Sequence, residues 1–411
     1  MRLFTPTRLG DLALRNRVVL APLTRRRADP QAVPSASAPL YYAQRADAGL
    51  IVSEGTCISA EGIGDRRLPG LWTDEQIARW RTVTEAVHAR AGLIVAQLWH
   101  TGRASHPLLQ AGGEPAVAPS AIAIEKDREL DGEIIPSTVP RALETGEIAR
   151  VVSDYAVAAE NAIGAGFDGV ELHGANGYLI DEFLQDGSNV RTDQYGGSVE
   201  ARTLFLREVL EAVTGTLGKE RVGLRISPSS MFQSMQDSEP YVLWARVLEV
   251  VAEFDLAFLH VVEPGVSGSE SHRSHADGID SAWIRARYPG RLIAAGRYTA
   301  ESAEAAVEAG QVDAVAFGRL FTSNPDLPVR LRARAALTPP DRTTFYTAGD
   351  EGYVDWPSLE AEKLLRELES GSRFERELEA DLSSAEFGGS TSYSEWEAAW
   401  ALSRYRRIQD A

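Results

Sequence analysis

Short apolar runs alternate along the chain with longer segments of helical periodicity, and this alternation continues to about residue 320. Apolar runs bounded by turn residues are typical of buried strands, whereas apolar positions spaced three and four apart are typical of helices. The pattern predicts eight strands, at residues 18–21, 50–53, 93–98, 169–172, 222–226, 258–262, 292–295 and 314–317.

Helical patterns separate these strands. Residues 73–90, for example, carry Ile77, Trp80 and Val83 on one stripe, and residues 199–217 show a similar one. Eight strands with intervening helices predict an α/β protein built on a single closed (β/α)8 barrel, the TIM barrel. An open doubly wound sheet is the alternative, and the absence of a G-x-G-x-x-G motif after the first strand disfavours it.

Two regions lie outside the bare barrel pattern. Residues 101–148, rich in Pro and Gly, are too long for a simple loop and predict a cap or hairpin over the mouth. We therefore assign residues 1–357 to the barrel and residues 358–411 to a charged helical extension that is interrupted at Gly388 and Gly389.

The extension allows two interpretations. It is either a solvated helix pair packed on the barrel exterior, or a contact between subunits of a homo-oligomer. The second interpretation rests on Trp396 and Trp400, because a spacing of four places both rings on one helix face suited to burial.

Composition narrows the class of protein. A formal net charge of −17 argues against nucleic acid and against an anionic membrane as partners, because both require a basic surface. Cys57 is the single cysteine, so neither an internal disulfide nor a thiolate-bound metal or iron–sulfur cluster is expected. With no signal peptide or membrane-length apolar run, we expect a cytoplasmic protein without a metal.

Three polar side chains follow the fourth predicted strand, in the run HGANGYL: His173, Asn176 and Tyr178. The carboxyl ends of parallel strands face the mouth of a barrel, where such folds carry out chemistry. His173 and Asn176 can both donate hydrogen bonds to an oxygen that gathers negative charge. Tyr178 offers a phenolic proton that it retains at neutral pH. Together they predict an electrophile clamp with a proton donor, although His173 alone would more simply be a structural histidine.

Further polar residues occupy strand ends. Thr24 and Gln97 can hydrogen-bond an amide-like ring, and Arg225 is a fixed cation suited to negative charge on a reduced cofactor. An ion pair with a neighbouring carboxylate is the alternative role for Arg225. Gly296 and Gly318 close the last two strands, where barrels of this kind bind phosphate, and Arg319 adds a charged contact.

Over residues 2–359 these segments resemble the old yellow enzyme family of FMN-dependent ene-reductases. The resemblance is carried by LFTPTRLGDLALRNRVVLAPLTR, YYAQRADAGLIVSEGTCIS, VAQLWHTGRASH, HGANGYLIDEFLQDGSNVRTDQYGGSVEAR, DAVAFGRLFTSNPDL and FYTAGDEGYVDWPSL. The stretch RTDQYGGSVEAR is long and highly specific.

The resemblance implies a TIM barrel that binds FMN, is reduced by NAD(P)H and reduces activated alkenes by trans addition. It implies catalytic roles for His173, Asn176, Tyr178 and Thr24, and a substrate pocket formed by Trp99, His173, Asn176 and Tyr346. The implied cofactor contacts are Pro22, Leu23, Thr24, Gly55, Gln97, Arg225, Gly296, Arg297, Gly318 and Arg319.

The chain departs from the family in the segment EGIGDRRLPG, where relatives often carry a tyrosine and this chain has Asp65, Arg66 and Arg67. Substrate scope is therefore open. Two other functions remain as alternatives: an FMN-binding or sensory barrel without turnover, which the presence of Tyr178 disfavours, and a colourless isomerase or aldolase. The latter lacks a candidate Schiff-base lysine at a strand end.

Overall fold

The computed structural model describes residues 1–130, 132–266, 278–370 and 393–409. Within them, eight parallel strands close into a barrel in the order β10-β11-β12-β13-β14-β3-β4-β5, and β5 pairs with β10 to complete the ring. The strands of the described chain are β1 (Thr7–Leu9), β2 (Leu12–Leu14), β3 (Val18–Leu20), β4 (Leu50–Cys57), β5 (Ile94–Trp99), β6 (Val117–Ala118), β7 (Arg128–Leu130), β8 (Glu133–Ile135), β9 (Arg141–Ala142), β10 (Gly169–Gly174), β11 (Val222–Ile226), β12 (Phe258–Val262), β13 (Leu292–Ala295) and β14 (Ala314–Phe317).

Helices cover the outside of the barrel. They are α1 (Ala38–Ala43), α2 (Asp74–His88), α3 (Thr145–Gly164), α4 (Leu179–Leu184), α5 (Val199–Arg202), α6 (Leu204–Leu217), α7 (Pro240–Phe254), α8 (Ser281–Arg285), α9 (Ala300–Glu308), α10 (Arg319–Ser323), α11 (Leu327–Ala333), α12 (Leu359–Glu369) and α13 (Tyr393–Gln409). Short 3-10 turns occur at Arg2–Phe4, Gly102–Ala104, Pro107–Leu109, Ala111–Gly113, Lys219–Arg221, Phe232–Ser234 and Arg342–Thr344.

The predicted barrel is confirmed, with shifted boundaries. The strand predicted to end at residue 53 continues to Cys57, and its register against β5 shifts between Val52 and Gly55. The predicted helix over 199–217 is divided into α5 and α6. In α2, by contrast, Thr73 and Gln76 form a capping box that starts the helix where its apolar stripe begins.

The barrel interior changes character along its axis. Towards the amino ends of the strands the inward side chains are apolar, including Val19, Val95 and Ile293. One layer nearer the mouth they become polar, with Glu171 and His260 fully buried. Because side chains alternate along a strand, residues two apart point the same way, so this polar layer leads directly to the mouth.

The β1–β2 hairpin closes the end of the barrel opposite the mouth. Leu9, Leu12 and Leu14 pack into the same cluster as the apolar inward residues of the strands. Asp11 N–H donates to the carbonyl of Glu220, which lies just before β11. The hairpin therefore seals the amino end of the barrel with hydrophobic contacts.

The predicted excursion after the third barrel strand contains a β7–β8 hairpin and a parallel β6–β9 pair. Its predicted end at residue 148 is wrong, because α3 begins at Thr145. Glu144 N–H donates to Glu147 Oε2 at 2.8 Å, a capping contact at the start of this helix.

In the C-terminal extension, α12 and α13 pack against each other through Leu364, Leu368, Ala401 and Leu402. Trp400 Nε1 donates to the carbonyl of Asp355 at 3.1 Å. The predicted interruption at residues 388 and 389 lies outside the described residues. No helix within the described ranges is long and apolar enough to cross a bilayer.

Candidate active site

A cavity of about 1090 Å³ opens at the carboxyl ends of the barrel strands. Its walls come from strand ends, the β7–β8 hairpin and the segment around Tyr346. Fourteen of the predicted site residues line it: Pro22, Leu23, Thr24, Gln97, Trp99, His173, Asn176, Tyr178, Arg225, Gly296, Arg297, Gly318, Arg319 and Tyr346.

Gly55 lies outside the cavity lining, unlike the other predicted site residues. A Cβ atom at this position would lie 2.6 Å from the Trp99 ring, which is closer than real contacts allow. Gly55 therefore gives space to Trp99, and it shapes the cavity through that ring.

The trio predicted from HGANGYL converges on one wall. The centroids of His173 and Tyr178 are 5.1 Å apart, and the ring of Trp99 lies parallel to His173 at 5.7 Å. Asn176 has a left-handed φ of 59°, which asparagine tolerates better than most residues. Its N–H donates to Ser227 Oγ at 2.7 Å, so the turn before Tyr178 is fixed.

The protonation of His173 follows from its contacts. Its Nδ1 accepts a hydrogen bond from Ala175 N–H at 3.3 Å. Burial lowers the pKa of His173 well below its usual value, and Arg225 and His260 lower it further. The ring is therefore neutral, with its proton on Nε2, and His173 is a hydrogen-bond donor at that atom.

Tyr178 precedes α4 and is part of the cavity wall. Burial raises the pKa of its hydroxyl, and Tyr346 and Asp65 act in the same direction. The phenol consequently keeps its proton at neutral pH, as a proton donor must.

The deep wall of the cavity and the residues directly behind it, which together we call the floor, comprise a hydrogen-bonded chain of Gln97, Glu171 and His260, with Arg225 beside it. Gln97 Nε2 donates to Glu171 Oε1 at 2.7 Å, and His260 Nδ1 lies 2.7 Å from Glu171 Oε2. Of these four residues, Gln97 and Arg225 line the cavity.

Gly296 and Gly318 follow β13 and β14 as predicted, and both line the cavity with Arg297 and Arg319. The helices that follow them are poorly suited to bind a phosphate through their N-termini. Thr299 and Ser302 already form a capping box on α9, and α10 is only five residues long. Any phosphate here would rely on the arginine side chains and the backbone around the two glycines.

The outer edge of the cavity, which we call the rim, is formed by Arg26, Asp65, Arg128, Glu129 and Tyr346. Arg26 forms an ion pair with Asp65, and its guanidinium lies 4.9 Å from the centre of the Tyr346 ring. Arg128 donates to the carbonyls of Ala104 and Gly64, and so holds the hairpin against neighbouring loops.

The sequence interpretation missed Glu171, His260, Arg26 and Arg128. Glu171 lies two residues before His173, so strand alternation alone indicates that it points into the barrel. His260 is likewise a lone polar residue within an apolar strand. Arg26 lies in a loop and Arg128 begins the three-residue strand β7, and no sequence period indicates where their side chains point.

The family model of the NADH:flavin oxidoreductase / NADH oxidase family matches residues 2–337. This chain belongs to that family. Among its curated relatives, flavin oxidoreductase hxnT of Emericella nidulans is 44% identical over 380 residues, covering 86% of this chain and 97% of the relative. A probable flavin mononucleotide-dependent alkene reductase of Leishmania infantum is 44% identical over 359 residues, covering 86% and 96%.

Solved structures of this family have a similar fold. The old yellow enzyme homologue from Zymomonas mobilis has a TM-score of 0.83 at 44% identity, and covers 87% of this chain and 99% of its own. Morphinone reductase has a TM-score of 0.82 at 46% identity, with 87% and 96% covered.

The family site fits FMN on the evidence of this chain's own residues. The cavity has the size of a cofactor site, and Arg225 Nε is buried without a hydrogen-bond partner in the described chain. The protein is thus an FMN-dependent ene-reductase of the old yellow enzyme family that uses NAD(P)H. The predicted family, fold, cofactor and reaction type are confirmed, and the sensory alternative is disfavoured.

Proposed function

We propose that the cavity reduces the C=C bond of α,β-unsaturated carbonyl or nitro compounds, with His173, Asn176 and Tyr178 as its catalytic residues. The convergence of these three side chains on one cavity wall is the observation that carries the proposal. Their chemistry is complementary, since two of them hold an oxygen and the third gives a proton.

His173 Nε2–H and the amide of Asn176 donate to the carbonyl or nitro oxygen of the substrate. Negative charge develops on that oxygen as the β-carbon is attacked, so both hydrogen bonds strengthen in the transition state. The neutral state of His173 suits this role, because a buried neutral imidazole needs no counter-ion.

Tyr178 delivers the proton to the α-carbon. FMN, when bound, supplies the hydride for the β-carbon after taking it from NAD(P)H. A substrate held between the cofactor site and Tyr178 would receive the two hydrogens on opposite faces, which gives net trans addition.

The remaining predicted contacts divide by location. Thr24, Gln97 and Arg225 would hold the flavin ring together with the backbone of Pro22 and Leu23. The other four, Gly296, Arg297, Gly318 and Arg319, would hold the phosphate. Trp99 and Tyr346 bound the substrate space, and Gly55 acts through its contact with Trp99.

The division into a barrel at residues 1–357 and an extension at residues 358–411 is retained as part of this proposal, as is a cytoplasmic location. Packing of α12 on α13 favours the interpretation of a helix pair on the barrel exterior. A homo-oligomer formed through the extension remains a prediction, which light scattering of the full chain and of a Trp396→Ala/Trp400→Ala variant would test.

Anaerobic stopped-flow spectroscopy tests the proposal. The purified holoenzyme is reduced with NADH or NADPH and then mixed with 2-cyclohexenone, while flavin absorbance is followed. Bleaching and rapid reoxidation by the enone are expected. Reoxidation by oxygen alone would contradict the clamp and the proton donor, and would indicate an oxidase-like or altered pocket.

A further inference from the structure

The floor of the cavity contains a carboxylate that the reaction does not use. Glu171 is 0% exposed and lies one inward position below His173 on β10. A buried carboxylate is strongly disfavoured unless donors satisfy it. Its two oxygens each receive one donor, Gln97 on one side and His260 on the other.

The contact with Glu171 decides which way the amide of Gln97 points. A carboxylate has only acceptors, so the Gln97 atom next to it must be Nε2, as observed. The Gln97 oxygen then remains as the acceptor for a group in the cavity. The pyrimidine edge of a flavin presents one N–H donor, at N3, between two carbonyl oxygens, and this N–H matches an acceptor at Gln97.

Glu171 also balances the charge of the floor. Arg225 is paired in register with His173 on one side and His260 on the other. Burial lowers the pKa of Arg225, and the Glu171 carboxylate opposes that shift. Burial similarly lowers the pKa of His260, which favours the neutral ring donating from Nδ1.

We propose that Glu171, supported by His260, is a positioning residue that fixes the amide of Gln97 as an acceptor for flavin N3–H and sets the charge felt by the pyrimidine edge. This inference rests on the proposed contacts of Gln97 and Arg225 with FMN. Reduction places negative charge on that edge, so the Glu171 carboxylate lowers the reduction potential while Arg225 raises it.

The first test replaces the carboxylate by its amide. In Glu171→Gln the new N–H₂ either meets Gln97 Nε2, donor against donor, unless Gln97 turns over, or faces His260 Nδ1, which accepts only after the ring moves its proton to Nε2. We expect FMN to bind at least about tenfold more weakly. We also expect the ratio of reduced-to-oxidised FMN affinity to rise about tenfold, which raises the two-electron midpoint potential by about 30 mV. Fluorescence titration and dye equilibration measure the two quantities.

The second test exchanges the two side chains, in Gln97→Glu/Glu171→Gln. The hydrogen bond between positions 97 and 171 is kept, and an acceptor again faces N3–H, but the negative charge now lies next to the ring. Binding of oxidised FMN should recover relative to Glu171→Gln, while the midpoint potential should fall below that of the wild type. A merely structural role would not reverse the sign of the potential shift.

Glu208→Gln is the matched control, because Glu208 is also hydrogen-bonded, to the Tyr195 hydroxyl, but lies on α6 outside the cavity lining. A folded Glu171→Gln variant with wild-type affinity and potential would overturn the proposal, as would an exchange variant whose potential is not lowered. If neither variant folds, wild-type protein loaded with ¹⁵N3-labelled FMN decides by NMR: a protected, downfield N3–H supports the proposal and a freely exchanging one overturns it.

The failure of this inference can be separated from failure of the proposed cofactor contacts. If Gln97→Ala and Arg225→Met bind FMN as the wild type does, the contacts themselves are wrong. If those variants lose FMN while Glu171→Gln does not, only the positioning role is wrong.

Discussion

The floor and the rim of the cavity hold their charged groups in opposite ways. On the floor, Gln97, Glu171 and His260 are at most 2% exposed and are joined by 2.7 Å hydrogen bonds. On the rim, the Glu129 side chain is 55% exposed and lies 3.8 Å from Arg26, and Tyr346 is 47% exposed. The Arg26 and Asp65 side chains are 19% and 17% exposed, so one cavity combines a dry, fixed floor with a rim whose outer groups reach solvent.

The difference indicates what each end can do. Buried, well-aligned groups act on a bound ring through a low dielectric and need no rearrangement at the moment of reaction. Exposed ion pairs are screened by salt and hold their geometry weakly. The floor is suited to holding and tuning a cofactor, whereas the rim is suited to selecting what enters.

The largest contrast is expected between the two tyrosines. Tyr178→Phe removes the proton donor and should slow enone reduction by about 10²- to 10⁴-fold while leaving flavin reduction by NAD(P)H nearly intact. Tyr346→Phe keeps the ring that lies on Arg26 and should change the enone KM by less than about tenfold. Stopped-flow measurement of both half-reactions tests this, and equal loss in both half-reactions for Tyr178→Phe would remove its assigned role.

The next contrast compares two arginines. Arg225→Met places an uncharged side chain on the floor beside Glu171, and should weaken FMN binding by roughly a hundredfold, since contacts to charged groups of this kind contribute about 2–3 kcal/mol. Arg26→Met on the rim should leave FMN affinity within about threefold. Fluorescence titration of apoprotein with FMN measures both, and comparable losses would erase the distinction between floor and rim.

A smaller effect is expected for selectivity at the rim. Asp65→Asn removes the shorter of the two ion pairs of Arg26, leaves the longer one to Glu129, and makes the opening around Arg26 and Arg128 more positive. The KM for an enone that carries a carboxylate should fall about threefold relative to a neutral enone of similar size. The preference should fade as salt is raised. Selectivity that is independent of salt would argue against a charge effect.

The smallest expected effect concerns the stability of the folded protein, through a buried carboxyl on α4, the helix that follows Tyr178. Burial raises the pKa of Glu182 on α4 to about 8, from an ordinary value of 4.5. The folded state therefore holds this proton more tightly than the unfolded state, and the associated stability is lost as pH rises from about 4.5 to about 8. Glu182→Gln removes that dependence, so its Tm relative to wild type should rise by about 2 °C or more between pH 5 and pH 8.5. A Tm difference that is constant with pH would contradict this assignment.

The barrel was predictable because each strand is a short apolar run and the longer helices between strands carry an apolar stripe. Most site residues were predictable for a related reason, since the carboxyl ends of parallel strands converge in a barrel. Gly55 shows the limit, because a residue name and a strand position do not reveal that the Trp99 ring fills the space above it.

The rim could not be predicted in the same way. Arg26 and Asp65 are 39 positions apart in two loops, and their contact depends on where those loops are placed by the barrel. The partner of Glu171 is equally non-local: Gln97 precedes it by 74 positions, although both lie on neighbouring strands. Local periods identify which residues point inward, but pairing between strands decides which of them meet.

The leucine-rich hairpin at the amino end of the barrel carries a kinetic consequence. With that end sealed, we expect the coenzyme and the alkene to use the same opening and to exclude each other while bound. On that expectation the oxidised coenzyme leaves before the alkene enters. The enzyme should follow double-displacement kinetics, with parallel lines in double-reciprocal plots and inhibition when either reactant is in large excess.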